Sequence, residues 1–210
     1  MYHTSNGLAD ELALWKQNAS GLLSSFPFGI FAYARLDDRL ADSELWKSAP
    51  RENGRDPMGL LANQPHIEIW NSELYGGPKQ YIDFPIDKKH AFAVCTMLFN
   101  AHPSGTVTLK SKDPFDNPVV DHNYLDNELD LLVLAEGCKF ANEIVLNGSG
   151  TKDVIKGSWP ADLTHHTYTT REEWIPNIKK HATTCELSLQ YLRSKTEYSL
   201  KVRLSCLRNL

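Results

Sequence analysis

The chain has 210 residues, is 41% hydrophobic and 23% charged, and carries a formal net charge of −4. A chain of that size buries roughly 70% of its unfolded surface, enough for one full domain and a small extra module. The acidic balance and the lack of any Lys/Arg cluster interleaved with aromatics argue against a nucleic-acid partner. No apolar run reaches membrane-spanning length, so no membrane association is expected.

In chain order, Leu8, Leu12 and Trp15 recur at helical spacing and predict a helix over 8–17 with Asn6 as its cap. Residues 18–35 are Gly/Ser/Phe-rich and end in the apolar run GIFAYA. Residues 47–65 carry Pro50, Pro57 and Pro65 with two glycines and read as an irregular crossing. HIEIW (66–70) alternates, which places His66, Glu68 and Trp70 on one strand face as candidates to line a polar substrate cleft. A sheet edge with a satisfied glutamate is the competing reading of the same pattern. HAFAVCTMLF (90–99) is apolar on both faces and predicts a central, covered strand. TVTLK (106–110) alternates as a half-exposed strand, DPFDNP (113–118) is a turn, and VVD (119–121) is a short extended piece.

The clearest helix is predicted over 127–146, with Leu129, Leu132, Val133, Phe140, Ile144 and Val145 as its stripe, Asp126 as cap and Asn147-Gly148 as stop. A second begins at Thr170-Arg171-Glu172-Glu173, a capping box, and Pro176 should distort one of its turns or delay its true start. From Glu186 the character changes: residues 186–210 hold five Lys/Arg and two Asp/Glu, a local net of 5 − 2 = +3. The chain therefore divides into a main unit, 1–185, and a tail, 186–210, expected to be disordered or loosely helical.

The chemical motifs are mostly exclusions. No Gly-x-Gly-x-x-Gly turn is present to bring backbone amides against a dinucleotide, and no Gly-x-Ser-x-Gly elbow marks a serine hydrolase. Gly148-Ser149-Gly150-Thr151-Lys152 lacks phosphate-loop spacing and reads as a helix-ending turn. Adjacent His165 and His166 point apart with no carboxylate at helical spacing, so no metal site is expected. Asp121-His122 reads as a surface turn. Cys95, Cys138, Cys185 and Cys206 lie at no metal-ligand spacing, and Cys95 and Cys138 read as small buried hydrophobes. Asn18-Ala19-Ser20 and Asn147-Gly148-Ser149 fit the glycosylation sequon. The N-terminus has no basic segment followed by an apolar one, so no signal peptide is expected, and the compartment is left open.

Several segments resemble the glucose-methanol-choline (GMC) oxidoreductase family, above all its fungal aryl-alcohol-oxidase-like members. They are GTVTLKSKDPFDNPVVDHNYL (105–125), DLLVLAEGCKFANEI (130–144), LDDRLADSELWKSAPRENGRDP (36–57) and TYTTREEWIPNIKKHATTC (167–185). The resemblance implies an α+β fold, a mostly antiparallel sheet backed by helices, from the substrate-binding portion. It implies FAD-dependent oxidation of the CH–OH group of a small alcohol or sugar, with a histidine as base. In the family that histidine sits in a His-Pro-x-Gly-Thr run soon after a helix ending like KKHATTC. Here Leu187 takes its place by register, so no catalytic residue is assigned. His102-Pro103-Ser104-Gly105-Thr106 matches the run but precedes the helices, which makes His102 a turn residue. The flavin fingerprint is missing, so this chain is expected not to hold FAD alone and to be inactive alone. Its tail fits a frameshift, a retained intron or a mis-called gene end. The face meant for a flavin-domain partner is expected to be an exposed apolar patch. Complete relatives are often secreted. The competing reading is a non-catalytic binding module or half-enzyme that pairs with a separate flavin-domain chain.

Overall fold

The computed structural model describes residues 7–24, 28–72, 91–102, 104–159, 162–184, 199–201 and 204–209. The fold is α+β, with two antiparallel sheets and helices on one side. The larger sheet takes the order β1 (Phe28–Ala34), β2 (Ile67–Ser72), β3 (Ala93–Leu98), β8 (Leu204–Asn209), β6 (Ala182–Thr184). The smaller joins β5 (Val119–Asp121), β4 (Ser104–Thr108) and β7 (Ser199–Lys201).

Strand β3 is buried at every position, as its two-faced apolar run predicts, because it lies between β2 and β8. The 20-residue helix α4 (Glu128–Asn147) lies across β3 and β2. Gly137 permits the approach: a Cβ there would stand 3.0 Å from both Ile67 Cγ2 and Thr96 Cγ2. Odd-numbered β2 residues Ile67 and Ile69, with Val94 and Leu98 of β3, therefore face α4 and join Val133, Leu134, Ala135, Cys138 and Ala141 in the core. Each fully buried aliphatic side chain there is worth about 1.5–3 kcal/mol.

Helix α5 (Arg171–His181) packs on α4 through Trp174 and Ile178, both fully buried. Its start is the predicted capping box: Thr170 accepts from the Glu173 amide and Glu173 reaches back to the Thr170 amide. The helix is continuous through Pro176, since the box and the two buried anchors hold both sides of the missing hydrogen bond. Short helices α2 (Asp37–Leu40) and α3 (Glu44–Ser48) fill the corner between β1 and β2, where the crossing was read as irregular only from residue 47.

Buried Glu136 ties three of these helices together. Its carboxylate accepts from Arg39 Nε at 2.7 Å and from Arg171 Nε at 2.5 Å. Arg39 continues to Glu143, and Arg171 continues to Asp42 and the Arg39 carbonyl.

Several expectations change. The cap of α4 is Asn127, whose side chain accepts from the Leu129 amide, rather than Asp126. The apolar stripe of helix α1 (Gly7–Asn18) stays out of the core: Leu8, Leu12 and Trp15 are 49%, 40% and 48% exposed. Strand β4 is not half-buried, for Val107 and the following Leu109 are exposed along with Thr106 and Thr108. Segments 199–201 and 204–209 of the supposed disordered or loosely helical tail are strands. Strand β8 fills the slot between β3 and β6. The boundary at 185/186 itself lies outside the described residues.

Candidate functional site

Strand register defines the sheet face opposite α4. Glu68 pairs with Tyr33 on β1 and Met97 on β3, and Trp70 pairs with Phe31 and Cys95. These side chains share parity and point away from the core helix. Glu68 and Trp70 are each 8% exposed, whereas Phe31 and Tyr33 on the edge strand are open, at 45% and 61%. Phe31 stacks on Trp70 and Tyr33 on Phe99, both with centroids 6.1 Å apart. The result is an aromatic wall with one carboxylate set into it. Such a surface offers flat faces to the C–H side of a ring and an acceptor to a hydroxyl.

His66, the third cleft candidate, leaves this wall. It stands one residue before β2 and is fully buried. Its Nδ1 accepts from the Leu36 amide at 2.8 Å and its Nε2 donates to Asp56 Oδ2 at 2.7 Å. That pattern fixes the neutral tautomer with the proton on Nε2. Burial pushes the His66 pKa below its ordinary value, against the pull of the Asp56 carboxylate. Both ring nitrogens serve the fold.

Asp56 organises the turn beneath it. Its Oδ1 accepts from the Met58 and Leu60 amides and its Oδ2 from His66 and Arg35. Burial works against this carboxylate, but the Leu60 amide, His66 and Arg35 outweigh it and hold its pKa below the usual range. Asp37, Asp56 and His66 bring donor atoms within 4.8 Å of one another. The donor set is already satisfied: Arg35 lies between the carboxylates, with Nε 2.7 Å from Asp37 and Nη2 2.7 Å from Asp56, and Leu36 occupies the other His66 nitrogen. The cluster is therefore an ion-pair network that fixes the β1–α2 corner.

The remaining candidates fall elsewhere. His165 is buried against Trp174, while His166 Nδ1 bonds Ser158 Oγ at 2.8 Å, so the adjacent histidines do point apart. Asp121 is exposed on β5, and His122 stacks on Tyr124. Gly148 caps α4, as the helix-ending reading requires. Cys95 and Cys138 are buried, as the sequence reading expects. Leu187 lies outside the described residues. Sequence reading missed Arg35, Asp56, Asp130 and Glu136, since charged residues scattered over a hundred positions carry no local pattern. The one available signal was Asp56 before the Pro57–Gly59 turn, where an aspartate commonly bonds nearby amides.

A bound dinucleotide needs a strand, a glycine turn and a helix N-terminus in sequence. The described strand pairs are all antiparallel, and the sequence has no such glycine run. The described residues do not fit a flavin dinucleotide.

Comparison with known proteins agrees with this architecture. Residues 101–188 match the family model described as GMC oxidoreductase. The chain is 38% identical over 178 residues to a pyranose dehydrogenase of Agaricus xanthodermus, and 29% identical over 178 residues to pyranose dehydrogenase 3 of Leucoagaricus meleagris. Each alignment covers 77% of this chain and 26% of the relative, so the chain spans about a quarter of the length of these relatives. Among solved structures, a formate oxidase variant from Aspergillus oryzae RIB40, studied for its effect on FAD modification, superposes with a TM-score of 0.68 at 25% identity. That superposition covers 82% of this chain and 30% of the oxidase. An antiparallel sheet backed by α4 and α5, with the matched segment running from Ala101 through the second of these helices, places the chain in the GMC oxidoreductase family, through its C-terminal domain.

Proposed function

We infer that this chain forms the substrate-side wall of a FAD-dependent oxidoreductase acting on the CH–OH group of an alcohol or sugar. The observation that carries the reading is the aromatic wall with Glu68 set into it, on the sheet face away from α4, in a chain of this family. Flavin, when bound to the complete protein, supplies the hydride acceptor. The residues of this chain do the rest of the positioning. Phe31 and Tyr33 present ring faces to the C–H side of the substrate, and the Glu68 carboxylate accepts a hydrogen bond from a substrate hydroxyl. The chain by itself neither retains flavin nor turns over substrate.

Two measurements test this. The purified chain should show no flavin absorbance after desalting, and stoichiometric flavin would overturn the reading. In the complete protein, Tyr33→Ala should raise KM for alcohol or sugar several-fold with little change in stability, because Tyr33 is open to solvent. Glu68→Gln should raise KM as well. Unchanged KM in both variants would remove this face from the substrate site.

A further inference from the structure

Residues 101–106 contain a histidine for which the proposed reaction has no use. His102 lies in the bend between β3 and β4 and keeps 31% of its side chain open to solvent. Its Nδ1 stands 2.7 Å from Asp130 Oδ1, and its backbone amide donates to Asp130 Oδ2 at 2.9 Å. Its Nε2 stands 2.9 Å from the carbonyl oxygen of Pro57. Asp130 is fully buried in the first turn of α4, where the helix dipole favours negative charge.

A carbonyl oxygen only accepts, and an ionised carboxylate only accepts. A neutral imidazole has one donor and cannot satisfy both. We propose that His102 carries both ring protons in the folded chain and acts as a pH-sensitive clasp between the 56–60 turn and the start of α4. The titratable and charged groups around the clasp are Asp130 from α4 and, next to Pro57 in the chain, Asp56 with its partners Arg35 and the neutral His66. Asn100 Nδ2 adds a bond to the Met58 carbonyl from the same bend. Neighbouring Gly105 keeps the bend in place, since any Cβ there would run into the carbonyl oxygens of Asp121 and His122.

The two histidines therefore hold one turn in opposite states. His66 is neutral and grips Asp56 from below, while His102 is charged and grips Pro57 from the side. Raising the pH removes one His102 proton and leaves a ring nitrogen lone pair facing an oxygen, so one of the two grips must open. The clasp stands or falls independently of the oxidoreductase reading.

Nitrogen-15 spectra of the histidine rings test it directly. At about pH 7.5, where a free imidazole is mostly neutral, His102 should give the signature of a doubly protonated ring. Asp130→Asn, which keeps the side-chain shape, should return it to a neutral tautomer at that pH. Amide hydrogen-exchange protection of Met58 to Leu60, corrected for intrinsic rates, should fall roughly tenfold as the wild-type ring deprotonates, the weight of one hydrogen bond. In Asp130→Asn, where the side-chain amide can donate to a neutral Nδ1 while Nε2–H keeps the Pro57 bond, it should be flat with pH. A neutral His102 ring in the wild type at that pH, or a protonated one in Asp130→Asn, would overturn the proposal. Flat protection in the wild type would overturn the clasp even with the ring charged.

Discussion

Replacing Glu136 by alanine tests what binds α2, α4 and α5. The carboxylate is 1% exposed and accepts charge-assisted hydrogen bonds from Arg39 and Arg171, with the Lys139 ammonium 3.7 Å away. Such bonds are worth about 1.5–3 kcal/mol each, so two give about 3–6 kcal/mol. Two features pull the figure down. Arg39 keeps Glu143 and Arg171 keeps Asp42, so neither cation is stranded. The guanidinium side chains are also 29% and 14% exposed, so water can reach them. The expected loss for Glu136→Ala is therefore about 3 kcal/mol, at the lower edge of the range for breaking a buried pair. Glu136→Gln, which preserves shape and one acceptor, should cost about half as much. Urea unfolding followed by circular dichroism gives the values. A double-mutant cycle between Glu136→Gln and Arg171→Met isolates the pairwise part. A loss below about 1 kcal/mol for Glu136→Ala, or a coupling indistinguishable from zero, would refute the assignment of this carboxylate as the helix tie.

Gly137→Ala sets two known effects against each other. Alanine gains about 1 kcal/mol of helix propensity, but its Cβ would meet Ile67 and Thr96, both fully buried on paired strands, at 3.0 Å. Overpacking of that kind costs about 1–3 kcal/mol, so thermal melting should show net destabilisation; a raised Tm would mean that α4 can shift off the sheet. For His66, the folded pKa lies below the unfolded value of about 6.5, so its contribution is complete above that pH and lost as pH falls through the folded value. The stability difference between wild type and His66→Gln, read from urea midpoints across pH 5–8, should shrink on the acid side; a pH-independent difference would contradict a buried neutral imidazole.

The fate of the HPSGT run shows how far sequence reading reaches. The expectation that it is not the family's catalytic histidine comes from the resemblance and rests only on its position before the helices along the chain. What His102 does instead required Asp130 and Pro57, which lie 28 and 45 positions away. The cleft triplet divides for a similar reason. Alternation places Glu68 and Trp70 together, and register with β1 and β3 confirms their shared face. His66 has the same parity, but β2 begins only at Ile67 and the corner formed by Leu36 and Asp56 draws its ring away.

Local patterns by themselves determined the covered strand over 93–98, the long helix over 128–147 and the capping box at Thr170, whereas the antiparallel arrangement of the sheet was implied by the family resemblance. Each local element rests on periodicity or on contacts within four residues, where the chain's own geometry sets the outcome. Tertiary structure alone decided that the LSCLRN segment adds a strand beside β3, that the α1 stripe stays largely exposed, and that Arg39 and Arg171 converge on Glu136. Those outcomes depend on which surfaces meet after collapse. Burial and charge pairing act across space, so no window of adjacent residues contains them.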